Sequence, residues 1–364
     1  MATNDDASAH TDRIPSTNLE VITCTRCGQL VKIKQFKPLE FVLCPACDTR
    51  LLIPGEVDQF RITGFLGEGA MGRVYEAEDR TLQRQVAIKI LRAAFASTPK
   101  MWMQLEEEAK AAASVNHDRV VQIYRLGKVQ ARPYIVMELV RHPNLQEIMK
   151  KQPVDEALGR RVAVDVMSGL KAAYTRHLVH GDVKPANILI DGKGRAKIAD
   201  FGLARFVNRG SKVECWGTPY YMAPEKCRKK QEDFRSDMYS LGATLFHATS
   251  RQPPFSGDHG DEVIRKAIRG PTPHLEDYGL GLSKHFCDTV YRMMMLDPDE
   301  RFERYQDAID AMAYDPTAST MRAEAEAAQS KSQSKIWKAF KHFLMDSPAD
   351  HEGINHSAEE TPTA

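Results

Sequence analysis

HGDVKPANILI, residues 180–190, is the stretch on which the reading of this chain turns. It sets His180, Asp182, Lys184 and Asn187 within eight positions and then runs into a short apolar segment. An Asp and an Asn five apart, with a Lys between them, can hold a metal-bound phosphate and a nucleophilic hydroxyl at one point. Taken singly, Asp182 is as readily a turn or cap residue. What surrounds the stretch has to decide.

Upstream, LGEGAMGRVYEA (66–77) places Gly67, Gly69 and Gly72 between two strand-like runs. A lone G-x-G-x-x-G is a weak signal, and here it does not open a helix as a dinucleotide-binding turn does. In a β-hairpin such glycines let backbone amides approach phosphate oxygens, and an ordinary glycine-rich turn is the alternative. VAIK (86–89) follows. Alternation of Val86, Ile88 and Ile90 on one face leaves Ala87 and Lys89 together on the other. Next comes a breaker-free run, MWMQLEEEAKAAASV (101–115), predicting a helix whose Glu106, Glu107 or Glu108 can reach a strand lysine. Physics alone does not choose among the three.

The larger pattern is strands first and helices afterwards. FRITGFL, RVYEAED, QVAIKIL, VVQIYRLG and RPYIVMELV read as strands up to about residue 140. After them VDEALGRRVAVDVMSGLKAAYTRH, DMYSLGATLFHATS and SKHFCDTVYRMMML are amphipathic and helical. The fold class is therefore α+β with two lobes.

Seven motifs now stand in order: LGEGAMGRV (66–74), VAIK (86–89), HGDVKPAN (180–187), DFG (200–202), APE (223–225), SDMYSLG (236–242) and the Arg of DPDERF (297–302). On these the stretch 58–314 resembles a eukaryotic-like (Hanks-type) serine/threonine protein kinase of the bacterial type. The resemblance implies a small β-rich N-lobe, a larger helical C-lobe, and ATP with Mg²⁺ or Mn²⁺ as cofactors. It implies Asp182 as the group orienting the substrate hydroxyl and Lys184 as the γ-phosphate contact. It makes Asn187 and Asp200 the metal ligands and Lys89 the phosphate contact, paired with Glu108. The nucleotide pocket it implies comprises Leu66, Gly67, Glu68, Gly69, Ala70, Met71, Gly72, Arg73 and Val74 of the hairpin, with Ala87, Met137, Glu138, Val140 and Leu189. Thr218 would bridge Asp182 and Lys184, Glu225 and Arg301 would form a buried ion pair, and Asp237 would tie the catalytic loop to a central helix. DVKPAN together with GTPYYMAPE (217–225) resembles the serine/threonine rather than the tyrosine branch. A fold of this type need not catalyse, but each charged residue that the chemistry needs is present.

Gly181 departs from the pattern, since relatives carry an arginine there that pairs with a phosphate on the activation segment. A glycine makes no such pair, and 200–225 offers only Ser211 and Thr218 as Ser/Thr acceptors. The expectation is activity that does not depend on a phosphate bound beside Asp182. Ala186 gives no support to a basic substrate consensus.

Before this domain, Cys24, Cys27, Cys44 and Cys47 form C-x₂-C-x₁₆-C-x₂-C. Two such tight turns complete a tetrahedral sulfur site for structural Zn²⁺, and the intervening QLVKIKQFKPLEFVL reads as two strands, giving a zinc-ribbon-like module over 21–55. Disulfides, a redox pair or iron in place of zinc are the competing readings. About 35 residues bury too little core to fold without such a staple. Docking or autoregulation is the preferred role for the module, ahead of nucleic-acid binding, because its positive charge is moderate and aromatics are sparse. Cys215, Cys227 and Cys287 read as ordinary thiols.

The 364 residues carry a net charge of +1, which gives no support to a partner recognised by bulk charge. The polar N-terminus, 1–20, reads as disordered and not as a signal peptide. With seven cysteines and no secretory signal the expected location is cytoplasmic. A linker over 315–334 leads to KIWKAFKHFLMD, an amphipathic helix over 335–346, and a disordered tail over 347–364. That helix is too short to span a bilayer. Docking on the kinase domain or on a partner is favoured over a peripheral membrane contact. The remaining partners are protein substrates with Ser/Thr acceptors.

Overall fold

The computed structural model describes residues 20–129, 132–201, 219–230 and 232–314. The expectations for 1–19, Gly202, Ser211, Cys215, Thr218 and everything from 315 onward, including the linker, the helix over 335–346 and the tail, lie outside those residues.

The cysteine module is two antiparallel hairpins, β1 (Val21–Thr23) with β2 (Leu30–Lys32) and β3 (Phe41–Leu43) with β4 (Arg50–Leu52). β2 and β3 are the two strands expected between the cysteine pairs. They do not pair with each other; each folds back on its own partner across a cysteine turn. Val31, Ile33, Val42, Leu51 and Ile53 form a small core with Cys24 and Cys44.

From Gly55 the chain builds one antiparallel sheet: β5 (Gly55–Val57), β6 (Phe60–Gly69), β7 (Gly72–Asp79), β8 (Arg84–Leu91), β9 (Ile123–Val129) and β10 (Arg132–Glu138), in spatial order β5-β6-β7-β8-β10-β9. β5 begins ahead of the expected domain start at 58, so the sheet reaches into the stretch assigned to the module. The expected alternation on β8 is present. Val86, Ile88 and Ile90 join Val57, Phe60, Ile62, Tyr75 and Tyr134 in the N-lobe core, whereas Ala87 packs on the other face with Val121, Met137 and Ala199. Leu39 of the module lies in that same N-lobe core, 6% exposed, with Leu52 packed against it. Between β8 and β9 lies helix α1 (Pro99–Ala113), capped by the Thr98 hydroxyl, which accepts from the Met101 amide, with Pro99 in its first turn.

The C-lobe comprises α2 (Leu145–Lys151), α3 (Glu156–Tyr174), the short hairpin β11 (Ile188–Ile190) and β12 (Ala196–Ile198), then α4 (Pro224–Cys227), α5 (Phe234–Ser250), α6 (Gly260–Arg269), α7 (Lys284–Met293) and α8 (Tyr305–Ala313). α2 starts with a full capping box between Asn144 and Glu147. α5 is buried on nearly every side, with only Thr244 polar in Leu241–Phe246, and it forms the centre against α3 and α7. Among the described residues no helix is long and apolar enough to cross a membrane.

Candidate active site

The expected residues converge on one cleft of about 1090 Å³ between sheet and helices, just above the usual span of ligand pockets (about 300–1,000 Å³). Its roof is the β6–β7 hairpin, turning through Ala70 and Met71. Gly72 is required there for a local reason. A Cβ on it would lie 2.1 Å from the Ile90 carbonyl oxygen of the neighbouring strand, so only glycine lets the hairpin return this close. Leu66, Gly67, Glu68, Gly69, Ala70, Met71, Gly72, Val74, Ala87, Lys89, Met137, Glu138 and Val140 line the upper part, and Asp182, Lys184, Asn187, Leu189 and Asp200 the floor.

Two expected residues are not in the lining. Arg73 turns away, with its guanidinium 3.3 Å from Glu68 and 5.9 Å from the Phe41 ring of the cysteine module. Glu108, on α1, is the other. Lys89 is 6% exposed, and its Nζ donates to Asp200 Oδ2 at 2.8 Å; among the described residues no ion pair joins it to Glu108. A buried ammonium needs a carboxylate at contact distance, and Asp200, in the left-handed region at φ +65°, supplies it. Burial pushes the Asp200 carboxyl up, but the Lys89 ammonium outweighs that and holds it below the ordinary carboxylate range.

The floor is tightly cross-linked. Asn187, 6% exposed, donates through Nδ2 to the Asp182 carbonyl at 2.9 Å and to Asp182 Oδ2 at 3.1 Å. Lys184 Nζ reaches the same Oδ2 at 2.7 Å. The Asp182 amide donates to His180 Nδ1 at 3.1 Å, and the fully buried His180 ring packs edge-on to Phe201 with its Nε2 2.8 Å from the Ala199 carbonyl. Asp237, on α5, accepts the amides of His180 and Gly181 at 2.7 Å each, so the expected tie between loop and central helix is in place. Burial raises the Asp237 carboxyl; the neighbouring His180 and the two amides work against that.

Arg301 and Glu225 form the expected buried pair, bidentate at 2.8 and 2.9 Å. Arg301 also donates to the Met295 and Arg235 carbonyls, and Ser236 Oγ donates to Glu225. Burial alone would raise the Glu225 carboxyl, but Arg301 brings it below its ordinary value. Sequence reasoning missed Val121 and Lys226, which also line the cleft. Val121 sat in an apparent strand, and the only signal for Lys226 is its place directly after Glu225.

Comparison with known proteins agrees with this geometry. Residues 60–312 match the sequence profile of the family described as protein kinase domain. Over 257 residues the chain is 34% identical to the serine/threonine-protein kinase PknB of Mycobacterium tuberculosis, covering 68% of this chain and 41% of that protein. It is 32% identical over 253 residues to the serine/threonine-protein kinase PrkC of Bacillus subtilis, covering 68% and 39%. The chain thus spans about two fifths of the length of the curated relatives it matches. Among solved structures, the kinase domain of Mycobacterium tuberculosis PknI has a TM-score of 0.57 at 24% identity, covering 71% of this chain and 96% of that one, a likeness of fold. With the family profile matched across both lobes, and the glycine hairpin, Lys89, the 180–187 loop and Asp200 gathered on one cleft, this chain belongs to the protein kinase family, in company with the bacterial serine/threonine kinases.

Proposed function

We propose that this chain transfers the γ-phosphate of ATP to serine and threonine hydroxyls of protein substrates, itself included. The observation that carries the reading is the meeting of Asp182, Lys184, Asn187, Lys89 and Asp200 on one cleft floor under a glycine hairpin. Phosphoryl transfer asks for positioning and charge neutralisation more than for covalent chemistry. Asp182 orients the acceptor hydroxyl and takes up its proton, and Lys184 supplies positive charge beside it. Asn187 spends its amide nitrogen on Asp182, which leaves Oδ1 as its free ligand oxygen. With the Asp200 carboxylate this donor set is all hard oxygen and fits Mg²⁺ or Mn²⁺, which when bound neutralises phosphate charge. Lys89 holds the α- and β-phosphates, and α1 brings Glu108 to it in the working state. The Glu138 amide already donates to the Gln122 carbonyl at 2.8 Å, so the contact of Glu138 to an adenine falls to its carbonyl, with the Val140 backbone beside it. ADP release from ATP, combined with phosphoamino-acid analysis, is expected to show turnover and phosphoserine or phosphothreonine. No turnover with either metal and any protein acceptor would sink the reading.

Activity does not depend on a phosphate beside Asp182, because residue 181 has no side chain to bind one. Phosphatase-treated protein is expected to keep kcat on an added acceptor within about twofold. Loss of transfer after that treatment would overturn this.

The four module cysteines hold structural Zn²⁺. Their sulfurs all lie within 4.8 Å of one another, with Cys24–Cys47 and Cys27–Cys44 at 3.6 Å. A tetrahedron with zinc–sulfur bonds of about 2.3 Å has edges of about 3.8 Å, whereas a disulfide needs about 2.05 Å. The two turns are alike: the Gly28 amide donates to the Cys24 carbonyl and the Asp48 amide to the Cys44 carbonyl, both at 2.9 Å, with both residues at positive φ. The module acts in cis, on the N-lobe. Phe41 packs edge-on to Phe65 of β6 at 4.9 Å, and Arg50 stacks on Phe41 at 3.7 Å, at the root of the phosphate-binding hairpin. Metal analysis is expected to give one zinc per chain. Its removal by a chelator should lower the melting temperature and raise KM for ATP roughly threefold or more through a loosened hairpin. Zinc-free protein with unchanged melting and KM would refute the cis role.

A further inference from the structure

Residue 181 lacks the arginine that its position leads one to expect, and the space beside it is occupied by another cation. A Cβ on Gly181, at φ +74°, would sit 3.5 Å from Lys226 Nζ and 3.8 Å from Glu232 Oε2. Lys226 belongs to α4, one residue after Glu225. Its Nζ donates to the Gly181 carbonyl at 2.6 Å and pairs with Glu232 at 3.2 Å. The Lys226 side chain is only 13% exposed. Exposed lysine pairs contribute little, but a largely buried ammonium persists only where partners compensate its desolvation. A lysine in a last helical turn ordinarily serves the carbonyls of its own helix. This one reaches across to the catalytic loop instead.

The consequence is a peptide gripped from both sides. The Gly181 amide is held by Asp237 of α5, and the Gly181 carbonyl by Lys226 of α4. The next residue is Asp182. The mount of Lys226 is stiff, because the adjacent Glu225 is locked to the fully buried Arg301.

We propose that Lys226 is a positioning residue for phosphoryl transfer, with Glu232 orienting it: the ammonium fixes the Gly181 carbonyl and so the backbone that presents Asp182. The inference rests on the kinase reading. Glycine at 181 suits lysine at 226: at φ +74° a side chain there would be strained, and its Cβ would already touch the Lys226 ammonium at 3.5 Å. The cation is supplied by the residue that follows APE and is ion-paired with Glu232.

The test uses the full chain with Mg²⁺ and ATP, and reads kcat, KM for ATP, melting temperature and amide hydrogen exchange over 181–183. Lys226→Met is expected to lower kcat about tenfold or more with KM for ATP within about twofold, and to speed exchange at those amides. Glu232→Gln should move kcat the same way by less, the double variant should be no worse than Lys226→Met alone, and Lys226→Arg should recover part of kcat. A merely structural lysine would lower the melting temperature and leave kcat of the folded enzyme alone. Lys226→Met with wild-type kcat overturns the proposal; if that variant does not fold, an unchanged kcat in Glu232→Gln does so. Wild-type protein without turnover would count against the kinase reading, and unchanged exchange at 181–183 in Lys226→Met would then still count against the role of Lys226.

Discussion

Asp182→Ala should lower kcat by about three orders of magnitude, within the range of a positioned general base, while KM for ATP stays within about twofold. The split follows from where the carboxylate sits. Asp182 is on the cleft floor, and its Oδ2 accepts from both Lys184 and Asn187. Removing it deletes the group that orients the acceptor hydroxyl and also releases Lys184 and the Asn187 amide from their common anchor. The binding surface for adenine, made from Leu66, Val74, Ala87, Met137 and Leu189, is untouched. Asp182→Asn is the sharper variant, because it keeps the volume and removes the charge that holds Lys184. It should lose nearly as much kcat with an unchanged melting temperature. Steady-state ADP release with saturating acceptor measures both, and an Asp182→Ala enzyme retaining a tenth of wild-type kcat would show that Asp182 is not the orienting group.

The largest effect on stability is expected from Arg301. Its guanidinium is 0% exposed and makes two bonds to Glu225, one to the Met295 carbonyl and one to the Arg235 carbonyl. Arg301→Met leaves the Glu225 carboxylate buried with only Ser236 Oγ donating to it from another side chain, and breaking such a pair costs about 3–5 kcal/mol. At roughly 2–4 °C per kcal/mol for a domain of this size, melting should fall by about 6 °C or more. Glu225→Gln with Arg301→Met should recover part of the loss, because the damage is an uncompensated charge and not a lost contact. The same pair carries a pH signature. Glu225 is held below its ordinary value, so its stabilisation is present above the unfolded-state pKa and fades as pH falls through the folded-state one. Thermal melts across mildly acidic pH should show a smaller wild-type-to-variant gap at the acid end.

The lobes, the hairpin roof and the cleft floor were legible because the motifs fix residue types at close sequence range. Asp182, Lys184 and Asn187 share one turn of loop, and the period of two on β8 already separates Lys89 from the core face. Contacts between segments distant in sequence were not legible. Lys89 lies 111 positions from Asp200, and only the folded chain shows which carboxylate reaches it. Lys226 was invisible for the same reason: nothing in its neighbours marks it as the partner of a carbonyl 45 positions earlier. β1, β4 and β5 were passed over because they lie outside the run between the cysteine pairs in which the strands were read.

The first strand of the large sheet also bears on how the chain can be divided. β5 shields the outer edge of β6, and Leu39 and Val57 fill the N-lobe core from the amino-terminal side. A polypeptide begun at residue 58 would carry every catalytic motif yet bare Phe60–Ile62 of β6 over a hollowed core. Newly unpaired edges invite intermolecular strand addition. The boundary of the smallest well-behaved fragment is therefore set by Leu39 as well as by β5, and it falls ahead of the cysteines.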